Sequence, residues 1–216
     1  ALSAWRRKPQ QGSYTLNYNW KTDSLGSGLR VILDHTYSLK TELNELASDY
    51  SDNARDRSYR TLTPSDTYIN SAQVDYIQQL SKKSSLRAGV KFVHTDRDNE
   101  VLAEQLQSSG WKKDTAASDR FCYTEKLLMF YATYEITIGK TSVKTGLRGE
   151  RTMANGYSVT LNESIRRRYF GWFPSLFISR TLNEKKGSAI NINYARRVRR
   201  PGYNDLNPYR LQVHDF

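Results

Sequence analysis

Apolar and polar residues alternate with a period of two in about eight separate stretches of this chain. Successive side chains of a β-strand point to opposite faces, so each stretch predicts a strand with one apolar and one polar face. The alternation therefore predicts an all-β, antiparallel fold. The predicted strands cover approximately residues 13–22, 28–40, 67–80, 85–95, 122–138, 142–153, 168–181 and 188–200.

The connections between these stretches are alternately short and long. Short turns rich in Gly, Asn, Ser and Lys follow the first, third, fifth and seventh predicted strands. Long polar segments, predicted as loops, cover residues 41–66, 96–121 and 154–168. This pattern is typical of an up-and-down transmembrane β-barrel with short periplasmic turns and longer extracellular loops. No stretch approaches the ~18 to 20 continuous apolar residues of a membrane-spanning helix, which excludes a helical membrane protein.

A soluble antiparallel sheet with one buried face produces the same alternation. The alternative hypothesis is thus a soluble binding module that presents a basic, tyrosine-rich face to a polyanion or a carbohydrate, since the net charge is +11 and there are 15 tyrosines. Tyrosine and arginine on a sheet could also hold single-stranded nucleic acid. No RRM-type or zinc-knuckle signature is present, so nucleic acid is not an expected partner.

The positions of the turns also indicate whether the predicted strands form a complete barrel. If the short turns are periplasmic, the first strand begins and the eighth ends on the outer side, whereas a complete single-chain barrel normally has both ends on the periplasmic side. We therefore expect residues 1–216 to form part of one larger barrel domain. Its two open edges would need the remainder of the barrel as a partner, and an isolated fragment should self-associate.

Residues for catalysis or metal binding are sparse. A single cysteine, Cys122, forbids an internal disulfide and a cysteine-built metal site. The three histidines, His35, His94 and His214, lie far apart in sequence, and no Gly-x-Ser-x-Gly nucleophile elbow occurs. We expect no catalytic residues, no metal, no cofactor and no enzymatic activity.

Two arginine-rich segments are the candidate binding residues. One precedes the seventh predicted strand and the other ends the eighth, so the sequence predicts that they meet at one rim. Guanidinium groups bind phosphate through charge-assisted hydrogen bonds, which suggests contact with an anionic ligand or with lipopolysaccharide. Alternatively, Arg197 and Arg199 point inward and pair with carboxylates of the lumen or of a plug. The candidates are Arg166, Arg167, Arg168, Arg197, Arg199 and Arg200.

The segment that contains the second cluster reads Tyr-Ala-Arg-Arg-Val-Arg-Arg-Pro-Gly-Tyr-Asn-Asp-Leu-Asn-Pro-Tyr, residues 194–209. It resembles a segment of the barrel domain of TonB-dependent receptors and related outer membrane beta-barrel proteins, and residues 71–76, 146–150 and 169–176 resemble strands of the same barrels. The resemblance implies a barrel of about twenty-two strands in the cell outer membrane, in contact with lipid. It also implies a plug domain, energy supplied through the TonB system, and a transported ligand of unknown identity. No plug and no TonB-contacting box occurs in residues 1–216, so the resemblance covers the barrel alone.

Overall fold

The computed structural model describes residues 2–48, 57–183 and 185–198, which form one antiparallel sheet of nine strands. This confirms the prediction of an all-β, up-and-down antiparallel fold. No helix in the described part of the chain has the length and apolar character needed to cross a membrane. The strands are β1 (Leu2–Lys21), β2 (Gly28–Ser48), β3 (Arg57–Ser81), β4 (Ser84–Gln107), β5 (Gly110–Lys113), β6 (Asp119–Ile138), β7 (Thr141–Ser158), β8 (Glu163–Asn183) and β9 (Ser188–Ala195).

The order in the sheet follows the order in the chain, with one exception. Each strand pairs with the next, but β4 pairs with β6, and the four-residue β5 folds back on the far end of β4. The sequence did not predict β5, which is only four residues long and begins at Gly110, where φ is 108°, directly after a turn at residues 108–109. In the described residues the sheet is open, and β1 and β9 form its two edges.

The register aligns the apolar positions of neighbouring strands on one face, which we call the outward face. One row across the sheet consists of Tyr18, Val31, Val74, Val90, Phe130, Gly149 and Trp172. These side chains are not covered by a second layer, since Val90 is 50% exposed and Tyr18 is 59% exposed. A soluble sheet would bury such a face, so this one needs an apolar environment such as lipid.

The opposite face, which we call the inner face, contains most of the polar and charged side chains of the paired strands. Phe121, Leu127 and Thr152 lie on this face and are buried, each being at most 6% exposed. Asp34, for example, accepts hydrogen bonds from Thr15 and Ser71 on the two neighbouring strands, at 2.8 and 2.9 Å. Alternation therefore separates an apolar outer surface from a hydrated inner one.

The strands are longer than the alternation indicates, which corrects the loops expected at residues 41–66, 96–121 and 154–168. They continue to Ser48, Gln107 and Ser158, and β1 begins at Leu2 instead of near residue 13. These extensions are rich in polar residues on both faces, so no period of two marks them. Cross-strand pairs connect them instead, as between Arg60 Nε and Glu104 Oε2 at 2.5 Å.

The extensions define the level of the membrane. On β6 the apolar outward positions run from residue 128 to residue 136, which matches the ~9 to 11 residues that a tilted strand needs to cross a bilayer. The tight turns lie at one end of this band, and the long extensions lie at the other, extracellular end. The turn after β1 is closed by Asp23 Oδ1, which accepts backbone N–H bonds from Leu25, Gly26 and Ser27 at 2.8 to 2.9 Å. Hydrogen bonding from Ser27 lowers the pKa of the Asp23 carboxyl.

Candidate functional site

A cavity of about 650 Å³ lies on the inner face, between β6, β7, β8 and the chain that follows β9. Four cationic side chains contribute to its lining, together with aromatic rings and hydroxyl groups. The principal lining residues are Gln73, Lys91, Tyr131, Thr133, Arg148, Phe173, Ser175, Arg196 and Arg197. This composition suits a ligand that contains both negative charge and hydrogen-bonding groups.

The ring of Phe173 organises two of these cations. The guanidinium of Arg148 lies 5.3 Å from the ring centroid and that of Arg196 lies 6.0 Å from it. Arg148 also pairs with the buried Glu150, with 2.7 Å between Nε and Oε1. Arg196 is brought here because its backbone N–H bonds to the carbonyl of Pro174 at 3.1 Å, just beyond the end of β9. The sequence analysis did not predict that Arg148, Phe173 and Arg196 lie together, since their proximity depends on the register between β8 and β9.

A second polar cluster lies beside it on β3, β4 and β6. The hydroxyl of Tyr131 donates to the Asp75 carboxylate, and Gln73 Nε2 donates to Asp75 Oδ2 at 2.7 Å and to the Tyr131 hydroxyl at 3.2 Å. Gly89 leaves the space for this arrangement: a Cβ there would lie 2.6 Å from both Asp75 Oδ1 and the Tyr131 hydroxyl. The cluster fixes the Tyr131 ring at the cavity wall.

The structure separates the predicted arginine candidates. Arg166 and Arg168 share the outward face of β8, because they pair with Asn155 and Met153 at outward positions, while Arg167 lies on the inner face. Arg197 lines the inner cavity. Arg199 and Arg200 lie outside the described residues.

The expectation that the two clusters meet at one rim is corrected for the described residues. Arg196 is level with Pro174, and Pro174 is six positions from Arg168 along β8 (174 − 168), or about 20 Å at ~3.3 Å per residue. The first cluster therefore belongs to the extracellular end, whereas Arg196 lies in the middle of the membrane band.

The pairing of β6, β7 and β8 brings further cationic side chains next to Arg166 and Arg168. The sequence analysis did not predict this proximity. Lys126 on β6 is in the same row as Met153 and Arg168, and Arg151 on β7 is in the next row, between Leu128 and Phe170. All four cationic side chains are exposed on the outward face. A groove of about 460 Å³ adjoins them, and its lining includes Thr124, Asn155, Tyr157, Ser164, Arg166 and Arg168.

The neighbouring carboxylates on the outward face, Asp96 and Asp98, already have partners within the sheet. Asp98 binds Arg120 Nε and Nη2 at 3.0 and 2.5 Å, which lowers the pKa of Asp98. Asp96 lies 2.6 Å from His94 Nε2 and accepts a hydrogen bond from Thr124 at 3.0 Å. The Cys122 sulfur is 3.9 Å from Asp98 Oδ1, and burial, followed by the charge of Asp98, raises the pKa of the thiol.

No group of three or more His, Cys, Asp and Glu side chains within residues 2–48, 57–183 and 185–198 is arranged to hold a metal ion. His35 instead belongs to an aromatic row, with its ring 6.3 Å from those of Tyr14 and Tyr37. Its Nδ1 lies 2.7 Å from Asn70 Oδ1. These rings lie where the apolar band ends, as expected for a membrane-interface girdle.

Comparison with known families identifies the chain. Residues 20–216 match the family described as "Outer membrane protein beta-barrel family". The chain belongs to this family. Its place is the cell outer membrane, which agrees with an apolar outward face and a hydrated inner face. Membership decides against the soluble binding module.

The solved structure of a ferric citrate transporter shows the same architecture at low sequence identity. The ferric citrate transporter FecA in its unliganded form is similar over 82% of this chain, with a TM-score of 0.62 and 14% identity. The ferric yersiniabactin uptake receptor FyuA from Yersinia pestis is similar over 82% of this chain, with a TM-score of 0.47 and 10% identity. This chain covers 26% of the FecA chain and 27% of the FyuA chain, or about a quarter of their length. No curated protein sequence matches the chain.

Proposed function

We propose that this family member forms part of the barrel of a TonB-dependent receptor that binds a ligand at the cell surface and moves it inward. The remaining strands would close the sheet at the edges of β1 and β9, and a plug would fill the lumen. The protein would act by binding and transport, without enzymatic chemistry. The similarity of the sheet to the FecA barrel supports the architecture that this role requires.

The observation that carries the proposal is the inner-face cavity with its Arg148–Phe173–Arg196 stack and Lys91. Cations on the lumenal wall of a barrel meet whatever passes through or fills the lumen, whereas cations on the lipid face do not. Since Arg148 is paired with Glu150, Lys91 and Arg196 are the better candidates for contact with an anionic group. The proposed ligand is therefore a solute with negative charge.

Uptake by the full-length receptor tests the proposal. Depletion of anionic solutes from a defined medium should be compared among the wild-type strain, a strain that lacks the receptor gene and a strain that lacks TonB. We expect at least one anionic solute to remain in the medium of both deletion strains. A receptor deletion that leaves the depletion of every such solute unchanged would contradict the proposal.

Two substitutions locate the effect. Lys91→Gln with Arg196→Gln should slow depletion of the affected solute several-fold while the amount of receptor in the outer membrane stays constant. Arg180→Gln, on the outward face of β8 near the periplasmic turn, is the matched control and should leave uptake unchanged. Equal effects of the two changes would assign the loss to general damage and not to a lumenal site.

A further inference from the structure

The outward face has a cationic patch at the extracellular edge of the membrane band, formed by Lys126, Arg151, Arg166 and Arg168. It occupies three adjacent strands, β6, β7 and β8. Neighbouring strands are about 4.8 Å apart, so Lys126 and Arg168, with Met153 between them, are on the order of 10 Å apart across the sheet. The patch therefore has the dimensions of a small headgroup.

The vertical position of the patch follows from the aromatic cluster beneath it. Phe130, Phe170 and Trp172 contact one another, with centroid separations of 5.1 to 5.9 Å. Arg168 is two residues beyond Phe170 on the same face, and Arg166 is two residues farther. Aromatic girdles mark the membrane–water interface, so the patch lies at the level of the outer-leaflet headgroups.

The cations of the patch have no counter-charge within the sheet. No salt bridge joins any of the four to a carboxylate in the described part of the chain, whereas the nearest outward acids, Asp96 and Asp98, are bound by His94 and Arg120. Four exposed like charges on one face repel one another and need an external anion. That anion must be available at the membrane surface.

The groove beside the patch adds neutral hydrogen-bonding groups. Thr124, Asn155 and Ser164 line it together with Arg166 and Arg168, and the Tyr157 hydroxyl at its edge donates to Asn162 Oδ1 at 2.9 Å. Hydroxyl and amide groups suit sugar hydroxyls, while guanidinium groups suit phosphate oxygens. The two sets together fit a phosphorylated sugar whose acyl chains would lie on the aromatic cluster below.

We propose that Lys126, Arg151, Arg166 and Arg168 form a binding site for the phosphorylated glycolipid headgroup of the outer leaflet, lipopolysaccharide. Phosphate oxygens accept hydrogen bonds from Arg166 and Arg168, and Lys126 adds charge at the near edge. Arg151 lies between Leu128 and Phe170, and its long side chain would reach the headgroup level, as long cationic side chains do at membrane interfaces. The bound lipid seals the outward face where the strands leave the bilayer.

The test is lipid A binding by the full-length protein in nanodiscs, measured by native mass spectrometry and titration. Each cation near an anionic headgroup contributes about five-fold in affinity, so Arg166→Gln with Arg168→Gln should weaken lipid A binding roughly twenty-five-fold. Arg167→Gln is the control, because it removes one positive charge from the inner face of the same segment and should leave the affinity unchanged. Arg166→Lys with Arg168→Lys retains charge and should recover most of the binding, which separates a headgroup contact from loss of folding.

Two further probes identify the source of the phosphate. Dephosphorylated lipid A should bind as weakly as lipid A binds to the double glutamine variant, and inorganic phosphate should not displace lipid A at millimolar concentration. Unchanged lipid A affinity in the double glutamine variant would overturn the proposal. Tight binding of inorganic phosphate alone would also overturn it, since the site would then serve a soluble anion.

Discussion

Gly149 lies opposite Phe130 on the outward face, and its replacement by alanine gives a sharp test of the packing there. A Cβ at position 149 would lie 2.5 Å from Phe130 Cε2, so the Phe130 ring must move. That ring has a T-shaped contact with Trp172 at 5.4 Å and a stacked contact with Phe170 at 5.9 Å. Glycine at this position therefore makes room for an aromatic cluster at the membrane interface.

The expected change in the free energy of unfolding for Gly149→Ala is the sum of two opposing contributions. In an ordinary strand, glycine to alanine stabilises the fold by ~0.5 to 1 kcal/mol. Here the two aromatic contacts of Phe130 are each worth ~0.5 to 1.5 kcal/mol, and displacement of the ring weakens both. We expect a net destabilisation of about 1 kcal/mol for Gly149→Ala, opposite in sign to the ordinary effect.

A double-mutant cycle in the full-length protein measures this coupling. Unfolding by guanidinium in detergent micelles, followed by tryptophan fluorescence, is compared for wild type, Gly149→Ala, Phe130→Leu and the double variant. In the Phe130→Leu background the clash is absent, so Gly149→Ala should stabilise by ~0.5 to 1 kcal/mol. A coupling free energy within ~0.5 kcal/mol of zero would refute the reasoning.

Three other results should follow from the structure. Single cysteines in a Cys122→Ser background should react with lipid-soluble reagents at outward positions and with water-soluble reagents at inner positions; uniform protection of the outward set would contradict a lipid-facing surface. The outward set is Leu128, Phe130, Val143 and Leu147, and the inner set is Met129 and Lys144. Asp98→Asn should make Cys122 react several-fold faster with a water-soluble maleimide at pH 8. Loss of the carboxylate lowers the pKa of the thiol toward its ordinary value, which increases the thiolate fraction. An unchanged reaction rate would show that burial alone sets the pKa of this thiol. Residues 1–216 expressed alone should self-associate through the free edges of β1 and β9, as measured by analytical ultracentrifugation, and a detergent-free monomer would refute this.

The alternation in the sequence was sufficient to predict most of the strands in the membrane band. On β6 each outward residue is apolar from Leu128 to Ile136, because lipid and water impose opposite requirements on the two faces. Where water covers both faces that requirement disappears, so the strand extensions past Lys40 and Thr95 and the short β5 were predicted as loop. Composition alone does not distinguish a solvated strand from a solvated loop.

The sequence by itself determined that the strands of the membrane band have one apolar and one polar face, but it predicted residues 154–168 as a loop and so assigned no face to Arg166, Arg167 and Arg168. Only the tertiary structure decided which side chains join them. Register between strands brings Lys126 and Arg151 to Arg168, and it places Arg196 beside Phe173 and Arg148, well below the first cluster. The physical reason is that alternation specifies direction within one strand, whereas neighbours across the sheet depend on hydrogen-bond pairing and turn geometry, which no single stretch of sequence contains.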